Sequence, residues 1–133
     1  MSQENIEILQ RMFGAWNNRD FDALVEFYDP EGEFNPGLLP PGEETRYVGR
    51  EGVNKWIWNV NDAWVAVTAG PEERFEVGSD RILAIDRWHF RGRDGIEIEE
   101  ELPTLFTFRN GLIVRVDGFT NRAEALEAAG LSE

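Results

Sequence analysis

The order of the sequence patterns predicts an α+β domain, with helices packed on one side of a curved antiparallel sheet. Two observations carry this prediction. Helical stripes with one short strand between them fill the chain up to about residue 64, and residues 80–121 form two consecutive β-hairpin patterns. At 133 residues the chain is expected to be a single domain over 1–133 that is large enough for its own core.

The first elements are helical. A helix is predicted over residues 3–17, where Asn17-Asn18-Arg19 ends it. Its apolar stripe consists of Ile6, Leu9, Phe13 and Trp16. Asp20 can act as the N-cap of a second helix, which stops at Asp29-Pro30 because a residue before proline disfavours the α region. A short strand is expected at residues 33–35.

Residues 36–48 contain three Pro and two Gly and predict a loop that could form a lid or rim. A third helix is expected from Gly49 onwards. Its stripe at helical spacing consists of Val53, Trp56, Ile57, Val60 and Trp64. A strand near 73–77 follows, then the two hairpins.

The first hairpin supplies the candidate catalytic residues. If Arg93-Asp94 form its turn, Arg87 pairs with Glu100 and His89 pairs with Ile98. Side chains alternate faces with period two, so Arg87, His89 and Glu100 would lie on one face of the sheet. With Leu83 and Ile85 on that same face, the pattern predicts an apolar pocket with a polar floor.

The second hairpin turns at Arg109-Asn110-Gly111, and two turn types remain open. In a type I′ turn of Asn110-Gly111, Asp117 faces the same side as Arg87. With Gly111 in the left-handed position of a three-residue loop, it faces the other side. A last helix is predicted from Asn121, with Glu124 at capping-box spacing and Gly130 as its C′ residue.

The outward side of the strand at 80–91 is too apolar for solvent. This set consists of Ile82, Ala84, Asp86, Trp88 and Phe90. A sheet that is apolar on both faces needs a second cover. No helix is left over to supply it, so a homodimer is expected.

Composition excludes several classes of function. The net charge of −13 argues against nucleic acid and against anionic membranes as partners. The absence of cysteine fits a cytoplasmic protein. The acidic N-terminus lacks an apolar run, so no signal peptide is expected. The glutamates at 97 and 99–101 alternate between faces with one His in the chain, which favours a solvated surface over a metal site.

Three segments resemble the SnoaL-like, or nuclear transport factor 2-like, family, and the resemblance covers nearly the whole chain. They are Phe27-Tyr28-Asp29-Pro30, Tyr47-Val48-Gly49-Arg50-Glu51-Gly52-Val53 and Phe106-Thr107-Phe108-Arg109-Asn110-Gly111-Leu112-Ile113-Val114. The helical tail 121–131 is also similar. The resemblance implies a cystatin-like, cone-shaped mixed sheet wrapped by three to four helices. It further implies an apolar small-molecule ligand and neither metal nor organic cofactor.

The family's enzymes suggest roles for particular positions. For epoxide hydrolases of this fold, Arg87 falls at the arginine and His89 at the first aspartate, while the second falls at Gly118, beside Asp117. For steroid isomerases, Asn35 and Met12 stand where the base and the tyrosine belong, and neither can perform that chemistry. The cyclases use a strand-borne His or Asp as the acid/base, which His89 could supply.

These inferences combine into one expected site. His89 would be the acid/base of an isomerisation, cyclisation or hydration, Arg87 the anion stabiliser and Glu100 its orienter. Residues expected to line the substrate pocket are Trp16, Phe34, Trp56, Leu102 and Phe106. The alternatives are a non-catalytic ligand-binding module or a protein-interaction module of the same fold, with Arg87 and Glu100 as a structural ion pair.

Overall fold

The computed structural model of the chain describes residues 2–37 and 46–131. The described helices are α1 (Ser2–Asn17), α2 (Phe21–Val25), α3 (Gly49–Ala63) and α4 (Arg122–Ala129). The described strands are β1 (Tyr28–Asn35), β2 (Tyr47–Val48), β3 (Ala66–Val77), β4 (Arg81–Arg91), β5 (Glu97–Arg109) and β6 (Leu112–Gly118). They form one sheet in the order β2-β1-β6-β5-β4-β3. The β1–β6 pair is parallel and the other pairs are antiparallel, so the predicted α+β fold with a mixed sheet is confirmed.

The two faces of this sheet are covered differently. The face that we call inner packs against α1, α2 and α3, and the larger apolar core lies between them. The opposite, outer face carries a smaller core, in which Leu83, Ile85 and Leu105 pack against α4. Away from α4 the outer face is polar.

The predicted orientation of β4 was wrong. Ile82, Ala84, Asp86, Trp88 and Phe90, which were expected to face outward, are all buried on the inner side. The apolar stripes of α1 and α3 need a large apolar partner surface, and this set of β4 supplies one with its two aromatic rings. The expected homodimer therefore loses the observation that motivated it and stays a prediction.

The predicted register of the first hairpin was wrong by one residue. Arg87 pairs with Glu101 and Trp88 pairs with Glu100. The cause is the turn, because the Gly92 N–H donates to the Ile96 carbonyl at 2.8 Å and leaves a loop of three residues between them. Gly95 takes the left-handed conformation at φ 86°, as such loops require. Glu100 therefore lies on the opposite face from Arg87.

The second hairpin adopts the type I′ alternative. Asn110 has φ 54° and Gly111 has φ 78°, which are the two positive values that this turn needs. Asp117 pairs with Leu105 and shares the outer face with it and with Arg87.

Three further boundaries are informative. β3 begins at Ala66, well before the predicted 73–77, and β1 begins at Tyr28, where a helix was expected to continue. In the predicted 36–48 loop, residues 38–45 lie outside the described part. The caps of α4 are as predicted, since the Asn121 side chain accepts from the Glu124 N–H at 2.8 Å and Gly130 has φ 77°.

The C-terminal end of α1 is fixed to β3, the last strand of the sheet order. The Asn17 amide donates to the Ala69 carbonyl at 2.8 Å, and its carbonyl oxygen accepts from the Ala69 N–H at 2.9 Å. The Trp16 indole N–H donates to the Val67 carbonyl at 3.0 Å. These bonds hold α1 over the inner face and set the position of its aromatic residues.

Candidate functional site

A cavity lies between α1, α3 and the inner face of the sheet. Its empty space, including open solvent, is about 660 Å³, but the centres of water-sized molecules have only about 60 Å³ available, so the accessible space is small. Most of its lining is apolar. The lining residues are Met12, Phe13, Trp16, Tyr28, Phe34, Pro36, Gly37, Trp56, Ile57, Trp88, Leu102, Pro103, Thr104, Phe106, Val116, Gly118 and Phe119.

All five residues predicted to line a pocket do so, namely Trp16, Phe34, Trp56, Leu102 and Phe106. Their rings hold one another in edge-to-face contacts. The Phe34 ring meets Trp56 at a centroid distance of 4.8 Å, and Trp16 meets Trp88 at 5.2 Å. Such contacts restrict the rings, so the wall is largely pre-formed.

The mouth of the cavity lies where β1 and β6 end. Pro36, Gly37, Gly118 and Phe119 are half-buried, whereas most of the other lining residues are buried. At this point the two backbones almost touch, since a Cβ atom on Gly118 would lie 2.1 Å from the Gly37 nitrogen. Glycine is therefore required at residue 118 for this approach.

The residues predicted to be catalytic do not reach this cavity together. Arg87 and His89 lie on the outer face, with 46% and 41% of their side chains exposed. Arg87 Nε is 3.4 Å from Glu72 Oε1, and His89 Nε2 is 2.8 Å from Glu97 Oε1. Glu100 is on the inner side opposite Trp88, but it is exposed. The structure thus brings Arg87 and His89 together, separates them from Glu100, and places both on the face away from the cavity.

The inner face also contains a buried ion pair that was not predicted from the sequence. Asp86 is 1% exposed, and its Oδ1 accepts a hydrogen bond from Arg74 Nη1 on β3. The Arg74 guanidinium lies 5.4 Å from the ring centroid of Phe13, a cavity residue. Asp86 itself does not line the cavity, but it pairs with the lining residue Leu102 and stands two positions before the lining residue Trp88.

The electrostatics of Asp86 are set mainly by burial. Loss of hydration raises the pKa of this carboxyl to about 6, against the opposing effect of the Arg74 charge and hydrogen bond. Its Oδ2 atom is sealed from solvent and has no hydrogen-bond partner within the described residues. A sequence signal existed, because Asp86 is the one charged member of the apolar set at 82–90.

Few other polar atoms face the cavity. Among the described lining residues, Tyr28 carries a phenol and Thr104 a hydroxyl, and the indole N–H groups belong to Trp16, Trp56 and Trp88. Burial raises the pKa of the Tyr28 phenol above its ordinary value. Asn35, at the place of the isomerase base, instead donates to Asp117 Oδ1 at 3.0 Å.

Two kinds of site find no support in residues 2–37 and 46–131. No cluster of His, Asp and Glu there could hold a metal ion. No helix there is both long and apolar enough to cross a membrane.

Comparison with known proteins supports the fold. An uncharacterised PhzA/B-like protein of Pseudomonas aeruginosa is 27% identical over 135 residues, which covers 93% of this chain and 89% of that protein. RV0760c from Mycobacterium tuberculosis, solved with estradiol-17β-hemisuccinate, has a TM-score of 0.76 at 18% identity and covers 89% of this chain and 94% of its own. The epoxide hydrolase/cyclase-like enzyme SalBIII, which has a role in pyran ring formation in the polyether salinomycin, has a TM-score of 0.75 at 20% identity, with 92% and 94% covered.

These solved structures share the nuclear transport factor 2-like architecture described above. At such low identities the likeness establishes the fold alone. The model of the SnoaL-like domain matches residues 9–116, which is most of the chain and includes much of the cavity wall. This chain therefore belongs to the SnoaL-like domain family.

Proposed function

We propose that the cavity binds a largely apolar, ring-containing metabolite and that the protein performs cofactor-free acid/base chemistry on it, such as isomerisation, cyclisation or hydration. The observation that carries the proposal is the aromatic wall of the cavity. Small-molecule sites are mostly apolar with a few polar groups that orient the ligand. The steroid derivative bound by RV0760c and the enzymatic role of SalBIII support this proposal.

Asp86, rather than His89, is the acid/base in this proposal. A carboxyl with a pKa of about 6 is present in both protonation states near neutral pH, which suits general acid/base catalysis. Asp86 does not line the cavity, but its neighbours on the inner face, Trp88 and Leu102, do, so a ligand that displaces either side chain would approach Oδ2. The Arg74 charge beside it would then stabilise negative charge on a developing enolate.

A non-catalytic binding module is the second candidate. One observation favours it, because no Asp, Glu, His, Lys or Arg lines the cavity within the described residues. The unfilled cavity supports both candidates over a purely protein-interacting module of the same fold.

Ligand binding can be tested by thermal shift and tryptophan fluorescence with estradiol and polycyclic aromatic compounds. Leu102→Trp adds bulk inside the cavity and should abolish binding. The protein should stay folded, because Leu102 is only half-buried. Val65→Trp adds the same bulk at a position that is 46% exposed and should bind like the wild type. Equal binding by both variants, or no binding by the wild type, would contradict the proposal.

Catalysis can be tested before the natural substrate is known. We expect the wild type to accelerate deuterium exchange at the α-carbon of 2-tetralone, an enolisable ring ketone, as followed by NMR. Asp86→Asn should lower that rate by roughly 10²–10⁴-fold, which is the usual contribution of a general acid/base. Glu99→Gln, a matched change at an exposed residue that pairs with His89 on the outer face, should leave it unchanged. Binding without any acceleration by the wild type would favour the second candidate.

A further inference from the structure

The Tyr28 phenol stands at the end of the cavity away from the mouth. Tyr28 pairs with Ile113 near the start of β6, whereas the mouth lies at Gly118 at the end of that strand. Five residues of strand correspond to about 16 Å. The Tyr28 ring meets Phe34 edge-on at a centroid distance of 6.3 Å, and the Tyr28 backbone carbonyl accepts a hydrogen bond from Arg50 Nε at 2.7 Å. Both contacts fix the position of the phenol.

The hydroxyl of Tyr28 has no hydrogen-bond partner within the described residues, where the bonds formed by this residue involve its backbone carbonyl. It is also absent from the sealed, unpaired polar atoms, which are Asn59 Nδ2 and Asp86 Oδ2. The hydroxyl is therefore not completely sealed, and its residue lines the cavity. The Trp16 indole, by contrast, is already bonded to Val67.

The protonation state of this phenol is fixed by its surroundings. Because burial raises its pKa, Tyr28 stays neutral at any physiological pH and keeps its O–H bond. A neutral phenol in an apolar site is costly to leave unpaired, and a ligand that supplies an acceptor removes that cost.

We infer that Tyr28 anchors the ligand by donating a hydrogen bond to an acceptor oxygen, a carbonyl or an ether, at the leading end of a flat, neutral ring compound. This inference rests on the proposed binding function and adds the chemical class of the ligand. A flat compound suits the small space and the aromatic rings that line it. Neutrality follows from the absence of any cationic side chain among the described lining residues, since a carboxylate there would be desolvated without a counter-charge.

The inference can be tested with fluorene and 9-fluorenone, which share one ring outline and differ by a carbonyl oxygen. Equilibrium dialysis gives the two dissociation constants. The wild type should prefer fluorenone by roughly threefold to tenfold, the effect of one net hydrogen bond. Tyr28→Phe should remove this preference and leave the affinity for fluorene unchanged. Tyr47→Phe, which removes a tyrosine hydroxyl outside the cavity lining, should retain the preference.

A spectroscopic measurement detects the proposed hydrogen bond directly, so small packing changes that alter the affinity do not affect the conclusion. The infrared carbonyl stretch of bound fluorenone should lie below its value in hexane for the wild type and Tyr47→Phe, and close to the hexane value for Tyr28→Phe. If both compounds bind but the preference or the infrared shift survives in Tyr28→Phe, the anchor assignment is wrong and the binding function stands. If neither compound binds to the wild type, the anchor assignment and the proposed binding function are both contradicted.

Discussion

Asp86 and Arg87 are neighbours in the sequence but lie on opposite faces of the sheet, and their surroundings differ completely. Asp86 is 1% exposed and bonded to Arg74, whereas the Arg87 side chain is 46% exposed and 3.4 Å from Glu72. Both are cross-strand pairs of an Arg with a carboxylate. An exposed pair contributes little because water competes for both charges, whereas burial at the other pair raises the pKa of Asp86. Burial, more than residue type, therefore identifies the group with useful chemistry.

The largest effect is expected where the inner side depends on close backbone contact. Gly118→Ala should lower the free energy of unfolding by about 3 kcal/mol, because the new Cβ would overlap the Gly37 backbone. Gly14→Ala is the control, since a Cβ there meets nothing within 4 Å and alanine favours the α1 helix by up to about 1 kcal/mol. Urea unfolding measures both, and equal stability of the two variants would contradict the described mouth.

Substitution of Arg74 on the inner face and of Arg87 on the outer face compares how much each ion pair contributes to stability. Arg74→Met should cost about 2–3 kcal/mol, less than a fully buried pair would, since 22% of the Arg74 side chain is exposed and Asp86 can bind a proton instead. Arg87→Met should change stability by less than about 0.5 kcal/mol. Chemical denaturation of the two variants provides the comparison. Similar losses for both would mean that the faces do not differ as described.

The pH dependence of stability isolates Asp86. Its pKa is raised on folding from 3.8 to about 6, so the folded state binds the proton more tightly. The stability that the protonated Asp86 carboxyl contributes is fully present below pH 3.8 and is lost as the pH rises through 6. The unfolding free energy of the wild type, relative to Asp86→Asn, should fall by roughly 2 kcal/mol between about pH 4.5 and 7.5. A constant difference would show that Asp86 titrates normally.

The smallest effect is expected at His89, the residue that the sequence favoured. His89→Gln should leave stability within about 0.5 kcal/mol and leave ligand binding unchanged, because its imidazole is exposed beside Glu97. Thermal shift with estradiol present and absent measures both quantities. A large loss of ligand binding would require His89 to face the cavity and would reverse the assignment of the two faces.

Helical periodicity was a sufficient guide to half of the site. The helical spacing placed Phe13, Trp16 and Trp56 on apolar stripes, and all three line the cavity, as was predicted for Trp16 and Trp56. Caps were equally readable, because the signals at Asn121 and Gly130 are local. A strongly apolar helical stripe predicts the buried face well because the helix can bury that stripe only by turning it toward the core.

The pairing register of the first hairpin and the buried face of β4 could not be predicted in the same way. Two-residue and three-residue turns both suit the sequence Gly92-Arg93-Asp94-Gly95, and they differ by one residue of pairing. The choice of face for β4 then followed the polar Arg87 and His89, although Trp88 and Phe90 made the stronger case for burial. The apolar area of Trp88 and Phe90 indicates the buried face, and Asp86 lies on that face with them.

The bonds from α1 to the rim of β3 have a consequence for self-association. A terminal strand normally presents unpaired backbone groups on which another extended chain can add. Here Asn17 occupies both backbone groups of Ala69, Trp16 occupies the Val67 carbonyl, and Pro71 has no N–H to offer. Growth of the sheet by strand addition is blocked along this stretch, which protects the protein from fibril-like polymerisation there. Assembly with further copies would then have to use side-chain surfaces or other edges instead.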